Sequence, residues 1–104
     1  MVSASKKITI VGGSGALGAG LAKRWARKGH QIIIGSRDEK RASEAASRLN
    51  NEAGTTSIVG MENKVASENG EIVVLTVPFS NHMSTLSLIA PALNNKILID
   101  VTVP

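Results

Sequence analysis

Residues 13–18 read Gly13-Ser14-Gly15-Ala16-Leu17-Gly18, a complete G-x-G-x-x-G, and this hexapeptide restricts the fold more tightly than any other stretch of the chain. It follows the apolar run Lys7–Val11 and opens the stretch Ala16–Lys28, where Leu17, Leu21, Ala22 and Trp25 recur at helical spacing. Glycines alone would suit a turn that binds nothing. Between a strand and a helix each acquires a task. Gly13 is expected to allow a tight turn, Gly15 to let the backbone approach a pyrophosphate, and Gly18 to let helix pack close against strand. The helix start then offers free N–H groups and a partial positive charge to phosphates. A dinucleotide-binding βαβ unit is the reading that follows.

The remaining sequence alternates the same way, without internal repeats or low-complexity linkers. Gly29 stands where a helix C-cap is expected. Gln31–Ile34 reads as a second buried strand ended by Gly35, and Glu39–Asn50 as a helix with a polar face. Thr56–Val59 predicts a third strand, and Asn63–Glu68 one or two helical turns. Glu71–Val77 is apolar on both faces, as a central parallel strand requires. Asn81–Leu93 predicts a helix carrying Leu86, Ile89 and Leu93, with Pro91 near its end, and Lys96–Val101 a fifth strand. The expected architecture is α/β: one Rossmann-like domain over residues 1–104, a doubly wound parallel sheet of five strands in the order 3-2-1-4-5, with helices on both faces.

Composition removes several function classes. Apolar residues make up 42% of the 104, with one Trp, one Phe and no Tyr, so the core must be aliphatic. No run approaches the roughly 18 apolar residues needed to cross a bilayer. The start MVSASKKITIVGG carries no cleavage pattern, and the cytoplasm is the expected compartment. The absence of cysteine excludes disulfides, thiolate catalysis and the usual zinc sites, and two histidines without paired spacing argue against a metal site. The net charge of +4 admits a nucleic-acid partner. A phosphate-rich small ligand plus a solvated helix face is more economical: Lys23, Arg24, Arg27 and Lys28 fall in one helix, and no aromatic residues interleave with them.

The second strand bears on the choice of dinucleotide. NAD-binding folds usually carry Asp or Glu at its carboxyl end, to hold the ribose 2′-hydroxyl. Here the strand ends Ile34-Gly35-Ser36-Arg37, with Arg41 four residues on. A hydroxyl and two guanidinium forks suit a 2′-phosphate, which a carboxylate would repel. Asp38 is either a ribose carboxylate or the cap of the helix starting at Glu39. NADP is therefore the expected cofactor. Beyond the fourth strand, Thr76, Val77, Pro78, Phe79 and Met83 are expected opposite the glycine loop, Phe79 and Met83 as an apolar wall beside the nicotinamide; packing into the core is the alternative for both. His82 invites an acid–base role, but a lone histidine at a helix start also suits a structural or solvent-facing one. No catalytic side chain is expected, because hydride transfer needs positioning and the cofactor carries the chemistry.

Ile10–Gly18, Gly35-Ser36-Arg37, Gly60-Met61 and Val74–Phe79 together resemble the NADPH-dependent coenzyme F-420 reductases, the deazaflavin:NADP oxidoreductases, over nearly the whole chain. The resemblance implies that Ser14 to Leu17 contact the pyrophosphate. It implies that Ser36, Arg37 and Arg41 hold the 2′-phosphate, and that Phe79 and Met83 lie near the nicotinamide. It also implies direct hydride passage between the nicotinamide and a deazaflavin co-substrate, coenzyme F-420. Members of that family continue for about as many residues again, with much of the deazaflavin site in the part that follows. The alternative function is an NADP-binding or sensing module without turnover of its own. The apolar run Ile97–Ile99 predicts a homodimer that covers one flank of the sheet.

Overall fold

In the computed structural model residues 5–101 are described, and the side chain of Phe79 lies outside what is described. The strands are β1 (Lys7–Val11), β2 (Gln31–Ser36), β3 (Ile58–Glu62), β4 (Ile72–Leu75) and β5 (Ile97–Asp100). They pair in parallel in the order β3-β2-β1-β4-β5. The helices are α1 (Ala16–Arg27), α2 (Glu39–Ala53), α3 (Asn63–Asn69) and α4 (His82–Ile89).

The period-two alternation of the strands divides the core into two layers. Ile8, Ile10, Ile32, Ile34, Ile58 and Val74 meet Ala22, Ala26, Ala45, Ala46 and Leu49 of α1 and α2 on one face. Val11, Val73, Leu75 and Val77 meet Ile89 of α4 on the other. Alanine lines the inner side of α2 because that helix lies almost on the sheet. A Cβ at Gly60 in β3 would stand 2.2 Å from the backbone carbonyl of Ala42. α3 sits as close to β1: Thr9, fully buried, donates its hydroxyl to the carbonyl of Ala66.

Several boundaries differ from the expectation. The third strand lies two residues later than Thr56–Val59, because α2 runs on to Ala53 and stops at Gly54 in a left-handed conformation (φ 73°). The fourth strand ends at Leu75 rather than Val77. Thr76 turns back on β1, where its amide and its hydroxyl both donate to the carbonyl of Val11, at 3.0 and 2.8 Å. Pro78, two residues on, has no N–H to continue a ladder. The helix expected over Asn81–Leu93 is broken into a 3-10 turn at Phe79–Asn81, α4, and a second 3-10 turn at Ala90–Ala92 that contains Pro91. Leu17, expected on the apolar stripe of its helix, is 45% exposed; Gly18, Ala22 and Ala26 hold the buried side instead.

The basic cluster on α1 has a structural use. Lys23 pairs with Glu52 at 3.0 Å, and Arg27 donates to the carbonyls of Glu52 and Ala53 at the carboxyl end of α2. A cation there meets the negative end of the helix dipole. Arg24 and Lys28 remain solvent-exposed.

Candidate functional site

Strand order reverses between β1 and β4, and the connections leaving them diverge to opposite faces of the sheet. Such a switch point opens a crevice outside the carboxyl ends of the strands. A cleft of about 410 Å³ lies there. Its floor is the loop after β1, with Gly12, Ser14, Gly15, Ala16 and Leu17. Ser36, Arg37 and Arg41 line one side, and Thr76, Val77 and Pro78 the other.

The glycines of the loop divide their work differently from the expectation in one respect. The left-handed residue of the turn is Gly12 (φ 79°), not Gly13. Gly13 is required by lack of space: a Cβ there would lie 2.8 Å from Cδ1 of Ile34. Gly18 lets α1 settle on the loop, since a Cβ would stand 2.6 Å from Cα of Gly13. Both are buried beneath the cleft. Gly15 is another matter. A Cβ there would touch nothing closer than the Gly12 carbonyl at 3.5 Å, and φ is −78°. The fold does not demand glycine at residue 15, so the bare backbone serves the cleft.

The N-terminus of α1 differs from those of α2 and α3; that of α4, at Asn81, likewise makes no side-chain cap hydrogen bond. Asp38 caps α2 by accepting from the amide of Lys40 at 2.9 Å. Glu62 caps α3 by accepting from Lys64 and Val65. The cap of α1 is Gly15, with no side chain to offer and no acidic residue in the first turn. Its first amides lack intrahelical acceptors and stand at the positive end of the dipole. A 12-residue helix uncapped where its start lines a cleft leaves amide donors that can take an anion.

Ser36 ends β2, buried at the cleft edge, and its hydroxyl makes no hydrogen bond with a described residue. Arg37 and Arg41 are exposed, and neither pairs with a carboxylate among the described residues. Two unpaired guanidinium groups therefore flank a free hydroxyl at one end of the cleft. Asp38, the residue that left two readings open, is committed to the helix cap.

The structure does not bring every expected residue to the cleft. Met83 is 70% exposed and belongs neither to the cleft lining nor to the core. The placement of the Phe79 ring lies outside the described residues. His82 does not line the cleft; its Nε2 pairs with the carboxylate of Asp100 and ties α4 to β5. Asn63, Asn81 and Thr85 line the cleft although none was expected there. Asn81 and Thr85 follow the same loop as Pro78, so topology was their only signal. Asn63, after Glu62, reads in sequence like any polar helix start.

Residues 7–104 match the protein family described as NADP oxidoreductase coenzyme F420-dependent. The chain belongs to that family. It is 46% identical over 100 residues to the F420-dependent NADP reductase of Methanothermobacter thermautotrophicus, covering 94% of this chain and 43% of the relative. It is 40% identical over 102 residues to the F420-dependent NADP reductase of Methanocaldococcus jannaschii, covering 94% of this chain and 45% of the relative. The chain thus spans less than half the length of these curated relatives. Among solved structures, a putative F420-dependent NADP-reductase from Arthrobacter sp. FB24 superposes with a TM-score of 0.80 at 27% identity, over 96% of this chain and 46% of that one. A lactate dehydrogenase from Cryptosporidium parvum superposes at 0.77 with 18% identity, which speaks to the fold alone.

Proposed function

We propose that the cleft binds NADP(H) and that the chain is the nucleotide-binding part of an oxidoreductase passing hydride between the nicotinamide and a deazaflavin of the coenzyme F-420 type. The observation that carries this reading is the pairing of an uncapped helix start with a hydroxyl and two unpaired guanidinium groups in one cleft. The printed names of the relatives, F420-dependent NADP reductases, support both the nucleotide and the co-substrate.

Each residue then has a role. Ser14, Gly15, Ala16 and Leu17 receive the pyrophosphate on backbone amides, with Gly13 and Gly18 holding the loop in the shape that presents them. Ser36 donates a hydroxyl hydrogen bond to the 2′-phosphate, and Arg37 and Arg41 neutralise it. Thr76, Val77 and Pro78 frame the nicotinamide end, followed by Phe79. Met83, outside the cleft lining, is given no role. The bound nucleotide supplies the hydride; the chain supplies position and charge.

Two further statements belong to the same proposal. The exposed residues Ile97, Leu98 and Ile99 of β5 make the sheet edge the surface through which two copies associate. The compartment is the cytoplasm; among the described residues no helix is long and apolar enough to cross a membrane.

The test is to mix the chain with NADPH and coenzyme F-420 and follow nicotinamide absorbance. Oxidation of NADPH that requires the deazaflavin supports the proposal. Tight NADPH binding without oxidation would instead mark a binding module, and absence of binding would remove the nucleotide reading itself.

A further inference from the structure

Asn63 has no explanation in the fold. It is 4% exposed, at the first position of α3, and it forms part of the cleft wall. Its Oδ1 lies so close to β2 that a Cβ at Gly35 would stand 2.7 Å from it. Buried amides are ordinarily paired at both ends. Asn50 shows how this chain does so: its Nδ2 donates to the carbonyl of Ile58, and its Oδ1 accepts from the Ile58 amide and the Thr55 hydroxyl. Asn63 does neither. Its Oδ1 accepts no hydrogen bond and its Nδ2 donates none among the described residues. Nor is the residue needed to start α3, because Glu62 already caps that helix. A buried amide oxygen left unpaired at the cleft wall weakens the protein, and a ligand in the cleft would give the carboxamide a partner.

The topology says which part of a ligand. Glu62 pairs with Ser36 across the β2–β3 ladder, so Asn63 follows directly on the strand end that faces Ser36. It lies on the β2–β3 flank, while Thr76, Val77 and Pro78 stand across β1 on the β4 side. Gly35 is the residue that admits it, since any side chain there would collide with the amide.

We propose that Asn63 is a specificity-determining contact for the adenosine half of the nucleotide, its carboxamide hydrogen-bonding the 2′-phosphorylated ribose held by Ser36 and Arg37. The assignment rests on the reading that the cleft takes NADP(H). An amide suits the position because it binds a phosphate or hydroxyl oxygen without adding negative charge beside the phosphate.

The experiment measures thermal midpoint and affinity for three probes: NADPH, adenosine 2′,5′-bisphosphate and nicotinamide mononucleotide. For Asn63→Ala the ligand-free midpoint is not lowered. Affinity for NADPH and for the bisphosphate falls by the same factor, about threefold to tenfold for one neutral hydrogen bond, while the mononucleotide is unaffected. Asn63→Asp keeps the shape and places a carboxylate near the phosphate, so it weakens NADPH by a larger factor than Asn63→Ala and more than it weakens NADH. Wild-type affinity for the bisphosphate in a folded Asn63→Ala protein overturns the assignment. If that variant does not fold, unchanged NADPH affinity in Asn63→Asp overturns it. If the unaltered chain binds NADPH but both variants match it, only the role of Asn63 falls; if the unaltered chain binds neither NADPH nor the bisphosphate, the cleft reading falls and takes this one with it.

Discussion

Gly18 and Gly20 lie two residues apart in α1 and answer to opposite demands. A Cβ at Gly18 would lie 2.6 Å from backbone, whereas at Gly20 it would meet nothing within 4 Å. Gly18→Ala should therefore cost about 1–3 kcal/mol through forced separation of helix and loop. Gly20→Ala should stabilise by about 0.5–1 kcal/mol, because a mid-helix glycine only adds entropy to the unfolded chain. Thermal unfolding of the two variants checks this, and a loss for both would show that α1 is not packed as described. The G-x-G-x-x-G spacing made Gly18 readable in sequence, together with Gly15 and the Ser36-Arg37 pair. Two things were not readable. Leu17 sits at helical spacing with Leu21 yet faces outward, because the apolar period cannot register that Gly18 brings the backbone itself into the contact. Asn63 looked like any polar helix start, since burial of its amide depends on Gly35 in another strand.

At the scale of elements, the joint between α2 and β3 shows how a strand begins without a long apolar run. Asn50, in the last turns of α2, holds both the amide and the carbonyl of Ile58, and Thr55 closes the turn onto it. This clamp sets where β3 starts, so the expected Thr56–Val59 strand becomes Ile58–Glu62, with Gly60 and Met61 drawn into the sheet although neither is a strong β former. Asn50→Ala should cost about 1–3 kcal/mol, the penalty for leaving partly buried backbone groups unpaired. Denaturant midpoints check it, and amide exchange at Ile58 should quicken beyond what the global loss explains. Proline marked the other misread boundaries: Pro78 lies just past the early end of β4, and Pro91 breaks the final helix. Both were visible in the sequence. How far upstream of Pro78 the strand ends was not, because that depends on the Val11 carbonyl taking both hydrogen bonds of Thr76.

At the scale of the molecule, the alternation of strands and helices carried the strand order directly. What it left open is the β5 flank. In register, Ile97 and Ile99 lie beside Ile72 and Val74 and share their face of the sheet, yet Ile99 is 43% exposed where its neighbour Val74 is buried, and Ile97 is 61% exposed. An open parallel edge with apolar side chains is a surface for association. We expect the chain to sediment as a dimer at micromolar concentration, and the paired substitutions Ile97→Lys and Ile99→Lys to shift it to monomer without loss of nucleotide affinity. A monomeric mass for the unaltered chain under the same conditions would contradict this. The loops after β1, β2 and β4, from the interior of the sheet, supply most of the cleft lining.

Selection of a 2′-phosphate by this cleft can be read from a single titration. NADPH and NADH are added separately to the unaltered chain and to Arg37→Ala, and the four dissociation constants are compared. The unaltered chain should bind NADPH at least about tenfold tighter than NADH, since charge-assisted hydrogen bonds are worth about 1.5–3 kcal/mol each. Arg37→Ala should remove most of that preference and leave NADH affinity nearly unchanged. Equal affinity for the two nucleotides in the unaltered chain, or tighter binding of NADH, would contradict it.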